Sequence, residues 1–180
     1  MLRFILKDFS VDADEAQAPV RSGGMSIEAR QLFADVSLGA PENAVGFVLW
    51  RLVHRYQREA DRALAPLDLT QLQFMTLTMA AWLGQSGEPV AQATLAEHGD
   101  IQPMQLSHML KALEGKGFVT RTPNPADVRA KCVQVTAAGL KVLREALPLV
   151  IDVQRRLFGE QGLPGGGLLQ ALVALDRESR

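Results

Sequence analysis

The sequence predicts a mainly helical fold that carries a small β-hairpin, and three observations within residues 94–136 predict it. A short helix containing Leu95 and Ala96 is cut by a Gly99-Asp100 turn. A longer helix follows, with Leu106, Met109, Leu110 and Leu113 spaced i, i+3, i+4 and i+7, and it stops at Gly117. Two β-type runs, FVTR and KCVQVT, then flank a Pro- and Asp-rich loop, TPNPADVRA. Together these outline a winged helix-turn-helix lobe, an α+β unit of the kind that places one helix in the major groove of DNA.

The elements around this lobe follow from their caps and breakers. Residues 1–24 read as an appendage: LRFILKDF is open between a strand and a helical turn, and VDADEAQAPVRSGG reads as a linker. A short helix is expected over 26–38 with Ser26 as N-cap, ended by Gly39-Ala40-Pro41. A long helix is expected over 42–65, since Val45, Val48, Leu49, Leu52, Val53 and Tyr56 recur at helical spacing while Arg51, Arg55, Arg58 and Arg62 fall on the polar side. Pro66 should stop it. Thr70 caps the next helix, which Gly84 ends, and Pro89-Val90 reads as a very short strand. Thr136 caps a helix over 137–158, kinked at Pro148. A break over Gly162–Gly167 precedes a last helix over 168–177. The expected division is an N-terminal extension (1–42) and a main domain (43–180). Within the main domain, 66–136 form the DNA-binding lobe, and 43–65 with 137–180 form dimerisation helices whose apolar faces need a second copy of the chain.

Composition excludes several classes. Of 180 residues, 47% are apolar and 22% charged, an ordinary globular balance. No apolar run reaches the roughly eighteen residues of a membrane span. The apolar patch at Leu2, Phe4, Ile5 and Leu6 is broken by Arg3 and Lys7 and lacks a small-residue cleavage site, so a cytoplasmic protein is expected. A single cysteine, Cys132, forbids an internal disulfide and any cysteine-rich zinc site. His54, His98 and His108 show no metal spacing, and there is no Gly-rich phosphate loop and no GxSxG. Glu97-His98 is an isolated adjacent pair that reads as a solvated edge. No metal, cofactor or enzymatic activity is expected.

The net charge of −1 argues against a nucleic-acid partner, because the phosphate backbone rewards cations. Its distribution softens that objection. Between Gln92 and Lys141, six basic residues stand against four acidic ones, whereas residues 1–42 hold four basic and seven acidic.

The proposed second helix, about residues 102–116, has an outward face with suitable chemistry. At about 100° per residue, the Leu106 stripe leaves Met104, His108 and Lys111 on the opposite side, with Gln105 and Ser107 on the flanks. Gln pairs with adenine edges, His and Lys donate to guanine, Ser bonds phosphate or base, and Met touches a thymine methyl. Gln102 precedes this row, and Pro103 is harmless where first-turn N–H groups lack partners anyway. In the wing, about residues 121–133, Arg121, Asp127, Arg129 and Lys131 supply further contacts. An Arg129 at the tip suits the negative potential of a narrow minor groove, with Asp127 orienting it.

These features resemble the MarR family of winged-helix transcription regulators over about residues 43–176. The resemblance rests on Leu95-Ala96, the LKALEGKGFV run of Leu110 to Val119, the Asp127-x-Arg129 pair and the VTAAG run of Val135 to Gly139, in that order and spacing. It implies an obligate homodimer with interlocked first and last helices, and two lobes reading a pseudo-palindromic operator. It also implies a repressor released by a small aromatic or anionic effector, or by thiol oxidation. Two departures are notable. His108 stands where members often carry Arg. The first long helix has no cysteine, so Cys132 on a wing strand reads as a small apolar filler.

Effector sites in such folds lie between the dimerisation helices and the DNA-binding lobe. Trp50, Arg51 and His54 are the candidates here. Met75, Met79 and Trp82 are further bulky candidates, of which Met75 and Met79, one turn apart, are better explained as core packing. The competing class is a winged-helix module that binds protein and has little DNA affinity, a reading that the near-neutral charge favours.

Overall fold

The computed structural model describes residues 27–124 and 127–178, the side chains of residues 27, 28, 36 and 127–129 excepted. The expected Ser26 cap and the whole 1–24 appendage lie outside the described residues. In chain order the helices are α1 (Ile27–Val36), α2 (Val45–Leu64), α3 (Gln71–Leu83), α4 (Gln92–His98), α5 (Pro103–Gly115), α6 (Ala137–Phe158) and α7 (Gly167–Glu178). The strands are β1 (Val90–Ala91), β2 (Val119–Asn124) and β3 (Asp127–Val135). They form one antiparallel sheet in the order β1-β3-β2. The mainly helical fold with a small hairpin is therefore as the sequence indicates.

Local chemistry explains the boundaries. The Thr70 hydroxyl accepts from the Gln73 N–H at 3.2 Å while the Gln73 side chain accepts from the Thr70 N–H at 3.3 Å. This reciprocal pair satisfies two of the free N–H groups at the start of α3. Thr136 caps α6 with one such bond, its hydroxyl accepting from the Gly139 N–H at 3.0 Å. Several expected bounds shift. The long helix starts at Val45 because Pro41–Asn43 form a separate 3-10 turn. Pro66 does not simply end that helix; it sits inside a second 3-10 turn, Ala65–Leu67, that leads to Asp68 at φ +52°. α6 runs unbroken through Pro148.

The chain divides into two compact units. One holds the chain up to His54 together with the residues from Gln161 onward, and the other is Arg55–Glu160. In the second unit, α3 packs on α5 and α6, and α4 packs on α5 and β3. Leu64, Leu77, Leu95, Leu106, Leu110, Leu113, Val119 and Val133 are among its largest fully buried apolar side chains. Fully burying a side chain of this kind stabilises by about 1.5–3 kcal/mol, so this shared core is what holds α4 and α5 in place. Among the described residues, every buried apolar side chain lies between Ala60 and Val153. The first unit has none. α7 buries no residue, and Leu172, Val173 and Leu175 on it are exposed.

The base of the hairpin meets α6 closely. Thr136 donates through its N–H to the Phe118 carbonyl at 3.0 Å and through its hydroxyl to the Gly117 carbonyl at 2.6 Å. A Cβ at Gly139 would lie 2.1 Å from the Phe118 carbonyl oxygen, inside any allowed contact. Gly139→Ala must therefore push α6 away from the wing base and is expected to cost about 1–3 kcal/mol, the range for overpacking a filled site. The check is a urea melt with a lowered midpoint at unchanged slope; an unshifted midpoint would contradict the contact.

Candidate nucleic-acid interface

The helix-turn-helix is built from α4, a tight turn and α5. The Gly99 N–H donates to the Leu95 carbonyl at 3.1 Å and the Ile101 N–H to the Ala96 carbonyl at 2.9 Å, which closes the turn. Asp100, not Gly99, takes the left-handed conformation, at φ +47°. Gly99 is needed for space: a Cβ there would come within 2.9 Å of Ile101 Cδ1 and 3.0 Å of the Met79 sulfur. α5 ends by the glycine rule. The Phe118 N–H reaches the Leu113 carbonyl at 3.0 Å, the Gly117 N–H reaches that of Glu114 at 2.9 Å, and Gly117 has φ +73°.

This frame turns one face of α5 outward. Leu106, Met109, Leu110 and Leu113 are buried, while Gln102, Met104, Gln105, His108 and Lys111 are exposed and Ser107 is half-buried. Met104 is 75% exposed on this face. The helix spans Pro103–Gly115, close to the expected 102–116. Between α4, the start of α5 and β3 runs an open groove of about 400 Å³, lined by Gln92, Ala96, Ser107 and Lys131 among others. It brings Lys131 of the wing alongside α5.

The hairpin is longer and its loop shorter than the sequence suggests. β2 and β3 pair from Val119↔Val135 out to Asn124↔Asp127, with a register shift at Pro123/Asn124. Much of the supposed loop is thus strand backbone, with residues 128–130 left over in the irregular step between Pro123↔Lys131 and Asn124↔Asp127. β3 is the central strand; Val133 is buried, Gln134 exposed and Val135 partly buried, as in a half-buried strand, and Cys132 beside them is buried as well. The buried Cys132 fits a small apolar filler. Asp127 and Arg129 lie on the β3 backbone, and their side chains are outside the described residues.

Arg121 is placed differently from the other expected contacts. Its side chain is only 9% exposed and donates to Glu114 Oε2 from Nε at 2.8 Å and from Nη2 at 2.6 Å. The guanidinium is engaged inside the lobe, tying the end of α5 to β2, and is not presented with the α5 row. Sequence reasoning grouped it with the DNA contacts because it is basic and near the wing. The seven-residue step from Glu114 to Arg121 crosses Gly117 and a change of element, so no helical or strand periodicity reveals the pair.

The sequence profile of the MarR family matches residues 69–131, the span from the start of α3 into β3. The Bacillus subtilis HTH-type transcriptional regulator YdcH is 36% identical over 118 residues, covering 66% of this chain and 80% of that relative. The chain belongs to the MarR family. Two solved structures agree with the membership. One is CouR from Rhodococcus jostii bound to p-coumaroyl-CoA, with TM-score 0.61 and 26% identity over 78% of this chain and 91% of that one. The other is the Mycobacterium tuberculosis regulator MosR in complex with DNA, with TM-score 0.62 and 25% identity over 76% of this chain and 96% of that one. The curated relative is thus an HTH-type transcriptional regulator. Among the described residues there is no cluster of three or more metal-ligating side chains. No helix among them is long and apolar enough to cross a membrane.

The residues first read as effector contacts sit on an exposed face of α2. Trp50 is 57% exposed, with its ring 4.6 Å from His54 and 6.1 Å from Phe47. His54 Nδ1 is 2.7 Å from the Trp50 carbonyl. Arg51 pairs with Glu42 at 3.5 Å and lies over the Phe47 ring at 5.7 Å. The structure brings Trp50 and His54 together and gives Arg51 other partners. Met79 packs against the core as expected, whereas Met75 and Trp82 are exposed.

The Arg121 guanidinium holds the Glu114 carboxyl below the usual carboxylate range, chiefly through its hydrogen bonds and with a smaller contribution from the charge of Lys131. A carboxyl lowered on folding stabilises the fold above its unfolded value, and that contribution is lost as pH falls through the folded one. Glu114→Gln is therefore expected to melt below the parent protein near neutrality, with the gap closing under acid. A gap that stays constant down to strongly acidic pH would show that the ion pair is not its source.

Proposed function

We propose that this MarR-family regulator represses transcription in the cytoplasm as a homodimer on a pseudo-palindromic operator, with α5 in the major groove and the wing in the minor groove. The observation that carries the reading is the α5 face: five exposed side chains able to touch base edges or phosphate, backed by four buried apolar ones that fix their direction. On this reading, residues 66–136 are the DNA-binding lobe, and Gln102, Met104, Gln105, Ser107, His108 and Lys111 meet the DNA. Lys131 contributes from the wing, with Arg129 entering the minor groove and Asp127 orienting it.

The homodimer is supported by the first unit. Leu32, Phe33, Val45, Trp50, Val53 and Leu175 are exposed apolar side chains of that unit, in which no described residue buries an apolar side chain. Such faces call for a partner, and a second copy with the same faces is the simplest one. Residues 43–65 and 137–180 are accordingly assigned as dimerisation helices. Release by a small aromatic or anionic effector is supported by CouR, whose bound p-coumaroyl-CoA is both. The Trp50–His54 pair, with ring centroids 4.6 Å apart and the rings tilted at 48°, offers an aromatic surface for such a ligand.

A gel shift on DNA upstream of the coding region, over a salt series, tests the DNA reading. Specific binding that weakens steeply with salt supports it, since counterion release requires phosphate contacts. No shift at low salt from a folded protein would favour a protein-binding module instead. Gln105→Ala and His108→Ala are each expected to lose about 1–3 kcal/mol of binding and to relax base preference, with melting temperature nearly unchanged. A lowered melting temperature as the main effect would count against base reading. For the dimer, Val53→Glu with Leu175→Glu is expected to shift the sedimenting species to a monomer, and a species unchanged in size would reject these faces as the interface.

A further inference from the structure

We infer that Lys116 is a positioning residue for the recognition helix: it pins the C-terminal end of α5 to the corner between α2 and α3 and gives no charge to DNA. The inference rests on the DNA-binding reading above. Lys116 is basic, lies in the segment richest in cations and follows the reading helix directly, so by sequence it resembles a phosphate contact. Its surroundings say otherwise. The side chain is 23% exposed, and its ammonium lies 3.2 Å from Asp68 Oδ2. It also donates to Gln73 Oε1 at 3.0 Å and to the Asp68 carbonyl. An ammonium has three N–H donors, and three acceptor oxygens surround this one.

The acceptors belong to a corner that is itself fixed. Asp68 holds the left-handed conformation at φ +52° after the Ala65–Leu67 turn. Gln73 Oε1 also accepts from the Thr70 N–H, so one oxygen serves both the α3 cap and Lys116. The Gln71 N–H donates to Asp61 Oδ1 at 2.6 Å, which ties the start of α3 back to α2. Beyond Lys116 comes Gly117 at φ +73°, a residue with little conformational preference of its own. At the other end of α5, Gln102 makes no side-chain cap, and Met104 and Gln105 stand exposed. The helix is therefore held by polar contacts at the end away from the first expected base contacts. Over its length of about 20 Å, a tilt of about 5° moves the far end by about 1.7 Å, enough to break a base-edge hydrogen bond.

The test uses the full-length protein and the operator that it selects from random DNA. Lys116→Met and Lys111→Met are compared with the parent in gel shifts over a salt series, on the operator and on a single-mismatch variant. Lys116→Met is expected to lose about tenfold in operator affinity, the value of one good base contact, and to discriminate the mismatch less well. Its slope of log affinity against log salt should match the parent's. Lys111→Met should instead lose about 0.9 from that slope, the signature of one phosphate contact. Gln73→Leu, which removes one acceptor and no charge, should repeat the Lys116→Met pattern more weakly and serves if Lys116→Met fails to fold. A shallower slope with full discrimination for Lys116→Met would make it a phosphate contact and overturn the inference, as would parental affinity and discrimination in both variants. A parent chain that selects no DNA would overturn the DNA-binding reading itself, a result distinct from either.

Discussion

Leu106, Leu110 and Leu113 on α5 are fully buried with Leu95 of α4 and Leu77 of α3 in one cluster, and the direction of every polar side chain on α5 depends on that burial. A helix has only one rotation about its axis that places an i, i+4, i+7 stripe inward. Once the stripe is inward, Met104, His108 and Lys111 have no choice but to face out. The same packing explains the turn. Gly99 leaves room for Ile101 and the Met79 sulfur, so α4 and α5 approach closely enough to share the core. Specificity of the outer face is thus a consequence of close packing on the inner one.

Electrostatics act on a second level. Of the cations between Gln92 and Lys141, Lys116 and Arg121 are engaged by Asp68 and Glu114 within the lobe. Both pairs gather at the C-terminal end of α5, one facing the α2–α3 corner and the other facing β2. A cation near a helix C-terminus also meets the negative end of the helix dipole. Charge here holds elements together, and a count of basic residues overstates what the surface offers to phosphate.

The sequence made some features legible and hid others for physical reasons. Thr70, Thr136, Gly84 and Gly117 announce helix ends because caps depend on a few adjacent residues. The Leu106 stripe announces a helix face because its period is local. The hairpin's true extent was not legible, since Pro123 and Pro125 read as loop while the pairing of β2 with β3 is settled by register across the ladder. The Glu114–Arg121 and Lys116–Asp68 pairs were hidden for a similar reason: residues 7 and 48 positions apart meet only after the core forms. Trp50, Arg51 and His54 were legible as an aromatic and basic cluster on one helix, but sequence spacing cannot say whether a helix face borders a cavity, and here the face is exposed.

The sparse surface charge bears on assembly. With Lys116 and Arg121 engaged, one lobe offers few phosphate contacts, and non-specific affinity scales with their number. Two lobes joined by the apolar faces of the first unit would add their contacts, and the second lobe would bind at the high effective concentration set by the first. In the proposed homodimer, a weakly charged lobe with apolar helical ends would place DNA affinity under the control of dimer geometry. An effector that changes the spacing of the two lobes, without touching α5, would then be enough to release the operator, because two half-sites one helical turn apart tolerate little mismatch.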